Sequence, residues 1–185
     1  MEIRKALHVN MIEKGLKWAN DATKKGYKYV KWDGSEAAKE CPICHNHSAD
    51  GDYYGGNCIW FSSAYLFHGM GMTNVDCACN GLLGGSSSYT ALLLMPYKFS
   101  QKLIDNKLGA GKFKLIRKKN RARLGTEDLE RGDIIVYYNH GIFWHVAVYI
   151  GDGKIIDCAR QHGGVMERNW ELKYPCNAAI RYIGG

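Results

Sequence analysis

The sequence predicts an α+β fold in which N-terminal helices pack on an antiparallel β-sheet. Three observations carry this expectation. Residues 2–25 repeat apolar side chains at helical spacing, and a second helical stretch begins at Cys58. Beyond residue 113 the apolar segments become short and are separated by turn residues. Helices followed by strands, rather than alternating with them, favour α+β over α/β. The 185 residues suffice for one domain with a sizeable core, and 46% hydrophobic with 23% charged residues is ordinary for a globular chain.

Taken in order, residues 2–25 form an amphipathic helix. Leu7, Met11, Trp18 and Ala22 share one face, Ile12, Leu16 and Ala19 widen it, and Gly26 ends it. Residues 27–54 are irregular. Gly55 and Gly56 then make a tight turn, and Asn57 is a good N-cap, so Cys58 takes the first helical position. Cys58, Phe61, Ser62 and Tyr65 share a face of that helix, with Ala64 and Phe67 extending the apolar side. Gly84 to Ser88 reads as a loop before the apolar run Ala91 to Met95. A helix and a strand at Phe113 to Ile116 fill 97–120. Asp128 to Asp133 turns into a strand at 134–138, and Ala178 to Ile183 closes the sheet. Between these lies a hairpin: apolar residues 146–150, the turn Gly151-Asp152-Gly153, and a return strand from Lys154. There is no internal repeat and no linker.

Two of these elements carry candidate chemistry. A sulfur at a helix N-terminus meets the positive end of the helix dipole, which favours a thiolate nucleophile. A buried cysteine acting as a small hydrophobe explains Cys58 equally well when that stretch is taken alone. In the hairpin, His145 begins the first strand and Asp157 stands nearly opposite on the second, within side-chain reach. Asp157 then orients His145, and His145 takes the proton of Cys58, as cysteine acyl transfer requires. A strand-capping histidine and a turn aspartate explain each residue singly but not their pairing.

Three blocks resemble the NlpC/P60 cell-wall peptidases: Asn57 to Phe61, Leu129 to Tyr137 with its Gly132-Asp133, and His145-Val146-Ala147-Val148-Tyr149-Ile150-Gly151 with Asp157 twelve positions after the histidine. Gly15 to Ala22, then Gly26-Tyr27, are similar to the lead helix of phage-encoded members. The resemblance implies a papain-like fold over 1–185 as a single catalytic domain. It also implies Cys58, His145 and Asp157 as catalytic residues, and a phage endolysin that hydrolyses peptide bonds in peptidoglycan stem peptides. Two departures stand out. The family usually has Asp-Cys-Ser where this chain has Asn57-Cys58-Ile59, and the following Trp60-Phe61 is closer to the CHAP family, whose members cut the N-acetylmuramoyl-L-alanine amide or a cross-bridge. The Cys58–His145 separation is also long for the family, which implies an insertion within about 70–128. No separate wall-binding module is visible. A reading of another class is a zinc-stabilised, non-catalytic binding module.

Seven cysteines with no apolar leader argue against a full disulfide framework. Cys41-x-x-Cys44 and Cys77-x-Cys79 flank the Cys58 helix, with His45 and His47 nearby, and four such ligands suit a structural zinc. Disulfides and reduced thiols are the competing readings, and catalysis itself needs no cofactor. No run of about eighteen apolar residues exists, so no membrane span is expected. Synthesis in a host cytoplasm is expected, with access to the wall through lysis-system release or virion delivery. The net charge of +7 attracts anionic wall polymer. Lys112, Lys114, Arg117, Lys118, Lys119, Arg121 and Arg123 read as a solvated basic loop rather than a nucleic-acid motif, so no specific nucleic acid is expected. The expected state is a monomer.

Overall fold

Twenty-four residues from Glu2 form the first helix, α1 (Glu2–Lys25), and Gly26 closes it at φ +64°. In this computed structural model, residues 2–30, 41–44, 56–72, 100–119, 122–139, 142–170 and 176–184 are described. The buried stripe of α1 occupies its second half, through Leu16, Ala19 and Ala22. Leu7, expected on that stripe, is 58% exposed. Its turn of the helix precedes the first packed positions, Met11, whose sulfur accepts from Tyr182 Oη at 3.1 Å, and Ile12, which lies against Gly132. A Cβ on Gly15 would stand 2.7 Å from Met70 Cγ and 2.8 Å from Tyr65 Cε2, so glycine lets the two helical segments touch.

The partner segment is α2 (Cys58–Ala64), which runs without a break into a π-helical turn, Tyr65–Gly69. Ile59 through Leu66 are all buried, so this helix is enclosed on every side rather than on one face. It packs against the sheet on one flank and against α1 on the other. Helix α3 (Gln101–Leu108) begins at Ser100, whose hydroxyl accepts from Leu103 N.

Among the described residues the sheet has six antiparallel strands: β1 (Phe113–Ile116), β2 (Ile134–Asn139), β3 (Ile142–Gly151), β4 (Lys154–Ala159), β5 (Gly164–Asn169) and β6 (Cys176–Tyr182), in the order β1-β6-β2-β3-β4-β5. Alternation divides its side chains between two cores. Val136, Val148, Ile156 and Ile180 face the helices. Ile135, Ala147, Ile155 and Ala179 form a smaller core with Leu124, Leu129 and Trp170. The helix at 2–25, the strand at Phe113 to Ile116 and the hairpin lie where the sequence places them. β5 has no counterpart in the sequence reading.

The Gly132-Asp133 turn shows why that dipeptide precedes β2. Gly132 takes φ +92°, its N–H donates to Tyr149 O at 2.8 Å, and Tyr149 N donates back to Asp133 O at 2.8 Å. The buried Asp133 carboxylate receives a bidentate pair from Arg181, at 2.9 and 2.8 Å. One turn thus fixes β2 to β3 and to β6.

The basic run is only in part the loop expected of it, because Lys114 lies in a strand; Arg121 is outside the described residues. Phe113 to Ile116 is an edge strand with Lys114 exposed, and a charged edge resists pairing with other chains. Lys118 pairs with Asp128 at 2.7 Å and with Glu127 at 3.4 Å.

Candidate active site

Asn57 has extended backbone angles and caps α2, its Oδ1 accepting from Ile59 N at 2.9 Å and Trp60 N at 3.0 Å. Cys58 is therefore the first helical residue, as its context predicts, and its own N–H stays out of the cap. Gly56, at φ +76°, brings the chain so close to Val30 that a Cβ there would stand 2.7 Å from Val30 Cγ2.

His145 does not begin its strand, because β3 starts at Ile142. Tyr137 pairs with His145 and Tyr138 with Phe143, so Trp144 is an extra residue in β3, a bulge of the kind that re-aims side chains near sites. The hairpin register also departs from expectation. Asp152 at φ +50° and Gly153 at φ +68° make a two-residue turn, and an irregularity at residue 150 resets the pairing. Val148 then pairs with Ile156, and continuing that register places Asp157 across from Ala147. His145 and Asp157 are thus diagonal neighbours on one face, and diagonal positions about 7–8 Å apart remain in reach of long side chains. The reach is used: His145 Nε2 stands 2.7 Å from Asp157 Oδ2.

A carboxylate only accepts, so Nε2 must carry the proton in this bond. That leaves Nδ1 for a partner on the other side of the ring, and the Cys58 sulfur lies near enough to the imidazole to favour its charged form. Burial disfavours the charged ring, but the Cys58 sulfur and Asp157 outweigh it and raise His145 to about 9. Cysteine, imidazole and carboxylate form one connected set.

A fourth member was not visible in the sequence. Arg168, on β5, donates to Asp157 Oδ2 from Nη2 at 2.5 Å and from Nε at 3.0 Å. Asp157 is fully buried; burial disfavours its charge, yet His145 and Arg168 together hold its carboxyl below the ordinary range. No pattern around Glu167-Arg168 marks it, because its role arises from β5 lying beside β4.

Cys58, His145 and Arg168 line a pocket of about 470 Å³ with Tyr29, Tyr137, Trp144, Cys158 and Arg160, and Asp157 lies buried behind the imidazole. Tyr29 arrives because the segment after α1 is tied to β5, through Tyr29 N to Gly163 O and Val165 N to Tyr27 O, both 2.9 Å. Burial pushes the Cys158 thiol well above its usual range, and the thiol donates to Gly56 O at 3.1 Å, bracing the turn before Cys58. Two cysteines therefore share the pocket, and Cys158 is the inert one.

Of the expected zinc ligands, Cys41 and Cys44 come together, and His68 joins them. Cys77 and Cys79 lie outside the described residues, as do His45, His47 and residues 73–99 of the expected insertion.

A helix N-terminus presenting a cysteine to a histidine on an antiparallel sheet defines the papain-like class of α+β folds. The chain belongs to the NlpC/P60 family, which matches residues 62–183; Cys58 lies just before that span. No curated protein sequence matches the chain. Among solved structures, the chain is similar to the P60 domain of antigen MAP1204 from M. avium subspecies paratuberculosis. The identity is 18% and the TM-score 0.48, over 96% of this chain and 98% of that one. It is similar to the peptidoglycan hydrolase RipB from Mycobacterium tuberculosis at 16% identity and TM-score 0.49, over 95% and 66%. A match to NlpC1 from Trichomonas vaginalis has 25% identity and TM-score 0.29; it covers 31% of this chain and spans less than a quarter, 23%, of that one.

Proposed function

We propose that this protein is a cysteine endopeptidase that hydrolyses peptide bonds in the stem peptides of cell-wall peptidoglycan, acting as a phage lysin. The observation that carries the chemistry is Cys58 and His145 lining one pocket, with buried Asp157 bonded to the imidazole, in a chain of this family. The lysin role rests on the likeness of the lead helix, Gly15 to Tyr27, to phage-encoded members.

In the first half-reaction the Cys58 thiolate attacks the peptide carbonyl, and its backbone N–H at the helix start donates to the developing oxyanion. The imidazolium of His145 gives its Nδ1 proton to the departing amine, leaving a thioester. In the second, neutral His145 takes a proton from water, the hydroxide displaces the thiolate, and the acid product leaves. Asp157 holds the ring through Nε2 in both states, and Arg168 holds Asp157. No step calls for a metal.

Mass spectrometry of fragments released from purified walls tests this reading. A new free amine within the stem peptide is the expected product. Release of whole stem peptides from the sugar supports instead a CHAP-type amidase, the reading favoured by Trp60-Phe61 after the cysteine, and cross-bridge fragments support a CHAP-type cross-bridge peptidase. Cys58→Ala must abolish release with the melting temperature retained. Wall clearance by that variant at the normal rate overturns the mechanism. If the unaltered chain neither cuts walls nor reacts with an alkylating reagent at Cys58, a binding module replaces the enzyme.

A further inference from the structure

We infer that Cys41, Cys44 and His68 form a zinc site that fastens the segment before α2 to the far end of that helix. The inference does not depend on the hydrolase reading, since none of the three lines the pocket.

The ligand atoms of the three residues all lie within 4.8 Å of one another, and Cys41 Sγ stands 3.8 Å from His68 Nε2. Zinc holds sulfur at about 2.3 Å and imidazole nitrogen at about 2.0 Å, so a tetrahedron sets neighbouring donors about 3.5–3.8 Å apart. The Cys41–His68 pair already has that spacing, and Cys44 Sγ lies within 4.8 Å of both. Two thiolates and an imidazole are a soft donor set, suited to zinc and unsuited to magnesium or calcium. Three protein ligands leave one tetrahedral position for a fourth donor.

Each ligand is placed by its own local structure. Cys41 and Cys44 occupy the two ends of a turn, Cys-Pro-Ile-Cys, and both are thiols. His68 sits in the π-helical turn that follows α2, a widened turn of the kind common at functional sites. Its ring is fixed between Trp18, stacked at 6.5 Å, and Phe67, edge-on at 4.9 Å. Cys41 is fully buried, and Trp60 Nε1 donates to its sulfur at 3.4 Å. A donor aimed at a ligand sulfur is the outer-shell support that metal sites carry. Zinc entry releases the two thiol protons to solvent and leaves a neutral core of one dication and two thiolates. Because the ligands come from both sides of α2, the metal closes a loop around Cys58.

Testing uses the full chain carrying Cys58→Ala, so that the pocket thiol cannot contribute. Elemental analysis should find about one zinc per chain, as a single four-coordinate site demands. Cobalt substituted for zinc should show thiolate charge-transfer absorption. His68→Gln and Cys44→Ser, both at half-buried positions, should weaken zinc binding more than about 100-fold, since outer-shell changes alone cost 10–100-fold. A chelator should lower the melting temperature of the parent and leave that of His68→Gln unchanged. Two results overturn the site: a parent that takes up no zinc and melts unchanged with chelator, or a His68→Gln variant that keeps stoichiometric zinc and the parent's cobalt spectrum. The zinc and chelator measurements on the parent need no ligand variant to fold.

Discussion

Three donated hydrogen bonds converge on a single oxygen of Asp157: one from His145 and two from Arg168. This arrangement lets a fully buried carboxylate stay ionised, and the Cys58 sulfur together with an ionised Asp157 keeps His145 protonated up to about 9 against the cost of burial. The sign of each effect follows. Asp157 has a lowered folded value, so its pairing stabilises the fold above the ordinary value of 3.8 and that stability is lost as pH falls through the lower folded value. His145 has a raised value, so its pairing is complete below 6.5 and is lost as pH rises through about 9. Turnover should therefore be bell-shaped, with the alkaline limb near pH 9, where the imidazolium disappears. Asp157→Asn should slow turnover by roughly 100-fold or more, because an amide orients the ring but stabilises imidazolium poorly. Arg168→Gln removes a group that lowers Asp157, so the acid limb should move toward neutral pH. A purely structural Arg168 would lower the melting temperature and leave the pH profile in place, and that outcome rejects the positioning role.

At the level of elements, the contact between α1 and the α2–π-turn segment sets how the Cys58 helix is held. Gly15 in the middle of α1 costs helix propensity, about 1 kcal/mol relative to alanine. Gly15→Ala should nonetheless destabilise the protein by about 1–3 kcal/mol. The added methyl would meet the near end of Met70 and the fully buried ring of Tyr65, and overpacking of that kind outweighs propensity. Thermal unfolding measures the sign directly, and a raised melting temperature refutes the close approach. The same contact marks the boundary of what the sequence made legible. Apolar spacing located α1, the cap and glycine turn located Cys58, and Gly-Asp-Gly located the hairpin, because each is a local signal. The packing glycine at 15, the bulge at Trp144 and the diagonal register of His145 with Asp157 depend on partners far along the chain. Arg168 and His68 were illegible for the same reason: nothing within a few residues of either says what it will face. The pairing of His145 with Asp157 was legible because twelve residues and a tight turn leave little freedom, even though the register within the hairpin differs by two residues.

Over the whole molecule, charge and chemistry are separable, and the separation is testable. The chain carries a formal charge of +7, part of it on exposed lysines such as Lys114 and Lys119 at and beyond the sheet edge. Lys118, from the same run, is partly neutralised by Asp128 and Glu127, so the run presents less free charge than its composition suggests. The attraction toward an anionic wall is a long-range effect, screened once the Debye length falls to about 10 Å at roughly 0.1 M salt. The pocket pairs are close-set around the buried Asp157, with His145 and Arg168 only partly exposed, and salt screens them far less. Rising salt should therefore weaken association with purified walls several-fold, while turnover of a small neutral peptide stays nearly constant. Sedimentation of wall-bound protein and hydrolysis of the peptide, measured across one salt series, resolve the two. Parallel loss in both would place the salt-sensitive charge at the pocket, on the Asp157–Arg168–His145 cluster or on exposed Arg160 beside it, and would refute attraction by the outer surface.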